Sequence, residues 1–123
     1  MPSLNKQVKP SRETAYMNFP SDETGQVLAE MQQSDIDLSI SHDVVFFHLF
    51  EQQAQAQAMA DFVKQNVANV NVSVHADETP NVWDVDCTVL ITPSHAGIVE
   101  QEEILEKIVT QFSGYSDGWG IEA

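Results

Sequence analysis

Hydrophobic positions along this chain recur in two different periods, and the places where the period changes mark its elements. Val27, Leu28 and Met31 follow Pro20 and Ser21-Asp22, a spacing that sets three apolar side chains on one face of a short helix behind capping residues. After the polar stretch from Ser34 to Asp43, the run Val44-Val45-Phe46-Phe47-His48-Leu49-Phe50 is β-branched and aromatic on both sides, as a central strand requires. Glu51 to Asn66 is rich in Ala and Gln, and positions 55, 58, 59, 62 and 63 predict the apolar stripe of a second helix. Val70, Val72 and Val74 alternate with Asn71, Ser73 and His75, and the turn-rich Asp77-Glu78-Thr79-Pro80-Asn81 follows, so a half-buried strand should lead into a hairpin. Trp83, Val85, Cys87, Val89 and Ile91 then alternate with Asp84, Asp86, Thr88 and Leu90. This period of two predicts a strand that buries its odd positions and exposes the two acids.

Pro93 and Ser94 end that strand, and Gly97 to Phe112 reads as a helix with Ile98, Leu105, Ile108 and Phe112 inward and Glu100, Glu103 and Glu106 in water. Gly114 occupies the place of a C-terminal cap. Tyr115 to Ile121 predicts a last strand, with Tyr115, Asp117, Trp119 and Ile121 on one side and Gly118 and Gly120 on the other. Leaving the first helix aside, the order is βαββαβ. The expected class is α+β, a ferredoxin-like sandwich with a four-stranded antiparallel sheet, two helices on one face and an additional N-terminal helix. Because the first strand is apolar on both sides, the face away from the helices would show either Phe46, His48 and Phe50 or Val45, Phe47 and Leu49. The first helix or a second copy of the chain, as a homodimer, would cover such a patch.

Length and charge narrow the picture further. The chain has 123 residues, enough for one domain, here expected over residues 17–123 behind a flexible arm over 1–16. Nineteen acidic residues oppose five Lys and Arg, for a formal net charge of −14. Lys6, Lys9 and Arg12 lie in the arm, so beyond it only Lys64 and Lys107 oppose the acids. Such a surface repels nucleic-acid backbones and anionic membranes and attracts cationic proteins. The first residues carry no apolar run, which predicts neither a signal peptide nor a membrane anchor. A single cysteine, Cys87, cannot form an internal disulfide and suits a reducing, cytoplasmic setting.

The candidate chemistry is sparse. His42, His48, His75 and His95 fall at no spacing typical of compact metal motifs, so no metal is expected. Cys87 shares a face with Trp83 and Val89 and has no flanking cation to activate it, and so reads as a small core hydrophobe. The segment Thr92-Pro93-Ser94-His95-Ala96-Gly97 reads as a helix cap built on Ser94, the alternative being an anion site. Asp84 and Asp86 are a solvated pair, or else an acid/base or cation pair. Asp117-Gly118-Trp119-Gly120 sets a large aromatic on bare backbone, as a core residue or as a contact. Nothing supplies a nucleophile with its base or a cofactor loop, so neither catalysis nor a cofactor is expected.

Several stretches carry a family likeness. Ile98-Val99-Glu100-Gln101, Leu105 through Phe112 and the ending Tyr115-Ser116-Asp117-Gly118-Trp119-Gly120 resemble the family called regulator of ribonuclease E activity B. Phe19-Pro20-Ser21-Asp22-Glu23 with Asp37-Leu38-Ser39, and Pro93-Ser94-His95-Ala96-Gly97-Ile98, are similar to its broader branch. The likeness spans about residues 17 to 121. It implies a small acidic cytoplasmic protein with a ferredoxin-like sandwich that binds endoribonuclease E and inhibits or remodels its RNA cleavage without catalysis of its own. The expected contact residues for that enzyme, or another cationic protein, are Asp84, Asp86, Glu100, Glu103, Asp117 and Trp119. The alternative is a small-metabolite-binding regulatory module that uses an open sheet face or dimer interface at Phe46, His48 and Phe50.

Overall fold

Asp22 begins the first element by accepting a hydrogen bond from the Gly25 amide at 2.8 Å, which satisfies one of the unpaired N–H groups of a new helix. Helix α1 runs Glu23–Gln33, as the 27, 28, 31 spacing predicts, with Leu28 buried and Val27 and Met31 half-buried. It ends where Asp35 turns into the left-handed region, φ 68°. This computed structural model describes residues 19–122, so the predicted arm over 1–16 lies outside the described residues. The chain falls into two compact units, one up to Leu38, which holds α1, and one from Ser39 onward.

The second unit carries the predicted order: β1 (His42–Phe50), α2 (Gln53–Asn66), β2 (Asn71–Ala76), β3 (Trp83–Ile91), α3 (His95–Gln111) and β4 (Tyr115–Glu122). Its sheet order is β2-β3-β1-β4, and every neighbouring pair is antiparallel. This is the α+β, ferredoxin-like βαββαβ arrangement with an added N-terminal helix. The core joins Val44, Phe46 and Phe50 of β1 and Val85, Cys87 and Val89 of β3 to both helices. From α2 come Ala56, Met59, Ala60 and Val63, and from α3 Ile98, Leu105, Ile108 and Val109. Between the helices the Phe62 and Phe112 rings meet at 5.7 Å.

Four details depart from the periodicity. The buried stripe of α2 is Ala56, Met59, Ala60 and Val63, whereas Gln55, Ala58 and Phe62 are only half-buried. Burial favours the small alanines because a helix lying close on a sheet leaves little room between them. Gly114 is not the residue that takes the left-handed cap. Ser113 does so, at φ 67°, while its amide and that of Gly114 bond to Thr110 and Val109 carbonyls at 3.2 and 3.0 Å, a Schellman closure. Left-handed backbone costs a residue with a Cβ about 1 kcal/mol or more. Ser113→Gly should therefore stabilise the protein by about 0.5–1 kcal/mol, read as a higher urea midpoint.

The third departure lies in β4. Phe46 pairs with Trp119 but His48 pairs with Ser116, so β4 holds one residue more than β1 across Asp117-Gly118, a β-bulge. Gly118 makes it possible by adopting φ +95°. The extra residue breaks the predicted alternation. Tyr115 pairs with Leu49 on the sheet face away from the helices, whereas Trp119 and Ile121 pair with Phe46 and Val44 on the covered face. Finally, Phe46, His48 and Phe50 are 1, 2 and 0% exposed. They face α2 and α3, and it is Val45, Phe47 and Leu49 that occupy the other side. The ligand or dimer face expected at Phe46, His48 and Phe50 is thus interior, because their register partners Cys87, Val85 and Trp83 belong to the helix-covered side of β3.

Candidate protein-interaction surfaces

On the sheet face away from the helices, β2 and β3 place His75 opposite Asp84 and Ser73 opposite Asp86. Side chains of cross-strand partners share a face, so two carboxylates and an imidazole converge there. His75 Nε2 lies 3.2 Å from Asp86 Oδ2 and 3.7 Å from Asp84 Oδ2. Both aspartates are half-buried, with side chains 19 and 22% exposed for Asp84 and Asp86, whereas the alternation predicted open, solvated acids. Partial burial pushes the Asp84 carboxyl up to about 6, helped by a hydrogen bond and repulsion from Asp77 and by repulsion from Asp86, and opposed by His75. Asp86 is raised as well, first by burial and then by Glu122, with His75 acting the other way. Asp77 goes down because the Thr79 amide donates to it at 2.8 Å. No group of three or more His, Cys, Asp or Glu among the described residues is placed to hold a metal ion.

A second acidic surface lies on α3. Ser94 starts this helix by accepting from the Gly97 amide at 3.1 Å, which is the capping reading of the Thr92–Gly97 segment. Its inward stripe leaves Glu100, Glu103 and Glu106 exposed. Ser116 at the start of β4 donates its hydroxyl hydrogen bond to Glu106 Oε1. Between the two elements lies a groove of about 580 Å³ lined by Val99, Glu102, Glu103, Glu106, Lys107 and Ser116. Glu102 was not singled out by sequence, because a helical wheel places it at the border of the inward stripe.

The expected contact residues do not form one patch. Asp84 and Asp86 meet each other on one side of the sheet, while Glu100 and Glu103 ride on a helix that covers the opposite side. Asp117 is exposed within the bulge, and Trp119 is half-buried and packed against the core cluster. The sequence missed His75 as the partner of the aspartates, since only the β2–β3 register reveals the juxtaposition.

Two buried groups complete the electrostatics. Burial pushes the Cys87 thiol up to about 12, with Asp86 adding to the effect, so it stays protonated and unreactive. His48 Nδ1 donates to the Val85 carbonyl oxygen at 3.2 Å. Burial lowers the His48 pKa from 6.5, and the Val85 bond and the Glu106 charge only partly oppose this. A depressed histidine pKa means that protons bind the unfolded chain first, so its contribution to stability falls as pH drops below about 6.5. Asp84 has the opposite sign, because its raised pKa penalises folding above about 6 and relaxes as pH falls toward 3.8. His48→Gln, which keeps a donor for Val85, should flatten the loss of urea resistance between neutral and mildly acidic pH relative to the parent chain.

The profile of the family described as "Regulator of ribonuclease activity B" matches residues 21–121. The chain belongs to this family. The match runs from the capping region of α1 through the bulged ending Asp117–Gly120, so it takes in the stretches that carry the likeness in the sequence except Phe19 and Pro20. The family regulates ribonuclease activity and is not a catalytic one. No curated protein matches the chain. Among the described residues, no helix is long and apolar enough to cross a membrane.

Proposed function

We propose that this protein regulates RNA turnover by binding endoribonuclease E, or a similarly cationic ribonuclease, and modulating its cleavage without catalysis of its own. Membership of a family of ribonuclease regulators supplies the class of partner. The observation that carries the mode of action is the charge: 19 acidic residues against five cations, with carboxylates on both sides of the four-stranded sheet. Ribonucleases hold an anionic substrate on cationic surfaces, and a folded acidic body docks on such surfaces through complementary fields. Asp84, Asp86, Glu100 and Glu103 supply the charge, Asp117 adds to it at the bulge, and Trp119 buttresses the strand that presents it.

Cleavage of a structured RNA by endoribonuclease E, with and without this protein and across a salt series, tests the reading. Dose-dependent modulation that weakens with salt and is not reproduced by an equally acidic unrelated protein supports it. An unchanged cleavage rate at low salt and saturating protein rejects it. Phe46, His48 and Phe50, the residues named for the metabolite-binding alternative, are interior.

A further inference from the structure

We infer that Asp117-Gly118, in the bulge of β4, is a self-modification site at which the aspartate isomerises to isoaspartate. The inference stands apart from the partner proposed above. Isomerisation begins when the backbone nitrogen after an aspartate closes a five-membered ring on the aspartate side chain. A site favours that closure when no Cβ shields the nitrogen, when the backbone lies outside regular strand pairing, and when water reaches it. Asp117-Gly118 combines the three. It is the one Asp-Gly sequence in the chain, and each of the other eight aspartates precedes a residue with a side chain. No atom beyond its two chain neighbours lies within 4 Å of the point where a Cβ at Gly118 would stand, so the nitrogen can be approached. Phe46 pairs with Trp119 and His48 with Ser116, which leaves Asp117 and Gly118 without register partners on β1 and releases them from the ladder. β4 stands at the end of the sheet order, and both residues are exposed. Gly118 already holds φ +95°, and glycine crosses more of backbone space than any other residue, as ring closure demands.

The reaction needs only water, released in its first step and taken up in its second. The Gly118 amide nitrogen bonds to Asp117 Cγ, its proton and the carboxyl hydroxyl leave together as one water, and a cyclic succinimide joins the two residues. Water then adds back. Attack at Cγ breaks the new Cγ–N bond and restores aspartate. Attack at the Asp117 backbone carbonyl carbon breaks its bond to the Gly118 nitrogen instead, so the main chain runs through Cβ and Cγ and the former carbonyl carbon becomes the carboxylate. Mass and the number of charges are unchanged. The main chain is one carbon longer, at a bulge that already holds an extra residue and immediately before Trp119, which packs against the core. Asp84 and Asp86 differ on each count, because they are held in ladders on both sides of β3, are half-buried and precede Val85 and Cys87.

The test follows the full chain and a synthetic peptide spanning Gly114 to Ile121 through timed incubation at physiological temperature and pH. Isoaspartate is read by methyl transfer from S-adenosylmethionine, catalysed by an isoaspartyl methyltransferase. It is located by mass spectrometry of fragments from a protease that cuts at aspartate and not at isoaspartate. The expected result is isoaspartate at position 117 that accumulates in the folded chain within roughly tenfold of the rate in the peptide, because opening an unpaired stretch at a sheet edge costs little. Asp117→Glu keeps the charge but would need a six-membered ring, and should abolish the signal. A slower rate in the folded chain would overturn the inference, and so would isoaspartate spread over the other aspartates or a signal that persists in Asp117→Glu. The comparison with the peptide stands whether or not that variant folds.

Discussion

Reversing the charge at Asp84, Asp86, Glu100 and Glu103 together should lower affinity for endoribonuclease E on the order of a hundredfold or more at low salt, because each reversal replaces an attraction with a repulsion. The structure divides the four into separable pairs. Glu100 and Glu103 are exposed on α3, and Glu103 lines the groove. Asp84 and Asp86 are half-buried and both lie within 3.7 Å of His75 Nε2, so their carboxylates are less open to a partner. The α3 pair alone should therefore account for more of the loss than the β3 pair alone. Titration calorimetry of each pair and of the fourfold variant measures this, with circular dichroism to confirm that each remains folded. An affinity unchanged in the fourfold variant would mean that the acidic surfaces do not make the contact.

Gly114→Ala should be among the most destabilising single-methyl changes in the molecule. A Cβ at Gly114 would stand 2.4 to 2.8 Å from three carbons of the Phe50 ring, closer than carbon atoms can approach. Phe50 has no exposed surface and lies in the core against both helices, so the ring has nowhere to retreat. Overpacking of this kind costs about 2–3 kcal/mol, and the same change moves the start of β4, because Gly114 immediately precedes Tyr115. For a domain of this size that corresponds to a fall in melting temperature of roughly 10 °C. Thermal unfolding followed by circular dichroism reads it directly. A variant that melts with the parent chain would show that Phe50 does not hold the position described.

These two predictions also show where the sequence was legible and where it was not. The order βαββαβ follows from period, and β3 was readable residue by residue: Val85, Cys87 and Val89 are buried while Asp84 and Asp86 turn the other way. β1 could not be read in that manner. Apolar on both sides, it offers no period, and only its pairing decides which set faces the helices. Once Phe46 is opposite Cys87 and His48 opposite Val85, the choice is forced, and His48 goes inside.

The bulge in β4 was hidden for a different reason. A single inserted residue leaves no trace in composition, and a strict alternation from Tyr115 to Ile121 looks sound until Gly118 turns to φ +95°. The ending Asp117-Gly118-Trp119-Gly120, which carries so much of the family likeness, thus has a structural meaning. Gly118 turns the bulge, Trp119 is brought to the helix-covered side, and Gly120 lies beside the Phe47 ring. For the surfaces, the excess of acid was plain from counting, and the pairing of His75 with Asp84 and Asp86 was not, since it depends on the β2–β3 register. The groove between α3 and β4 likewise joins Ser116 to α3 residues nine or more positions away in sequence and exists only in the folded unit.

The most direct test of the account is the association of the full chain with endoribonuclease E, measured by titration calorimetry as a function of salt. The account predicts a complex at low ionic strength whose dissociation constant rises steadily as salt screens the acidic surfaces, the screening length falling to about 8–10 Å near physiological ionic strength. Absence of a complex at low salt would contradict it.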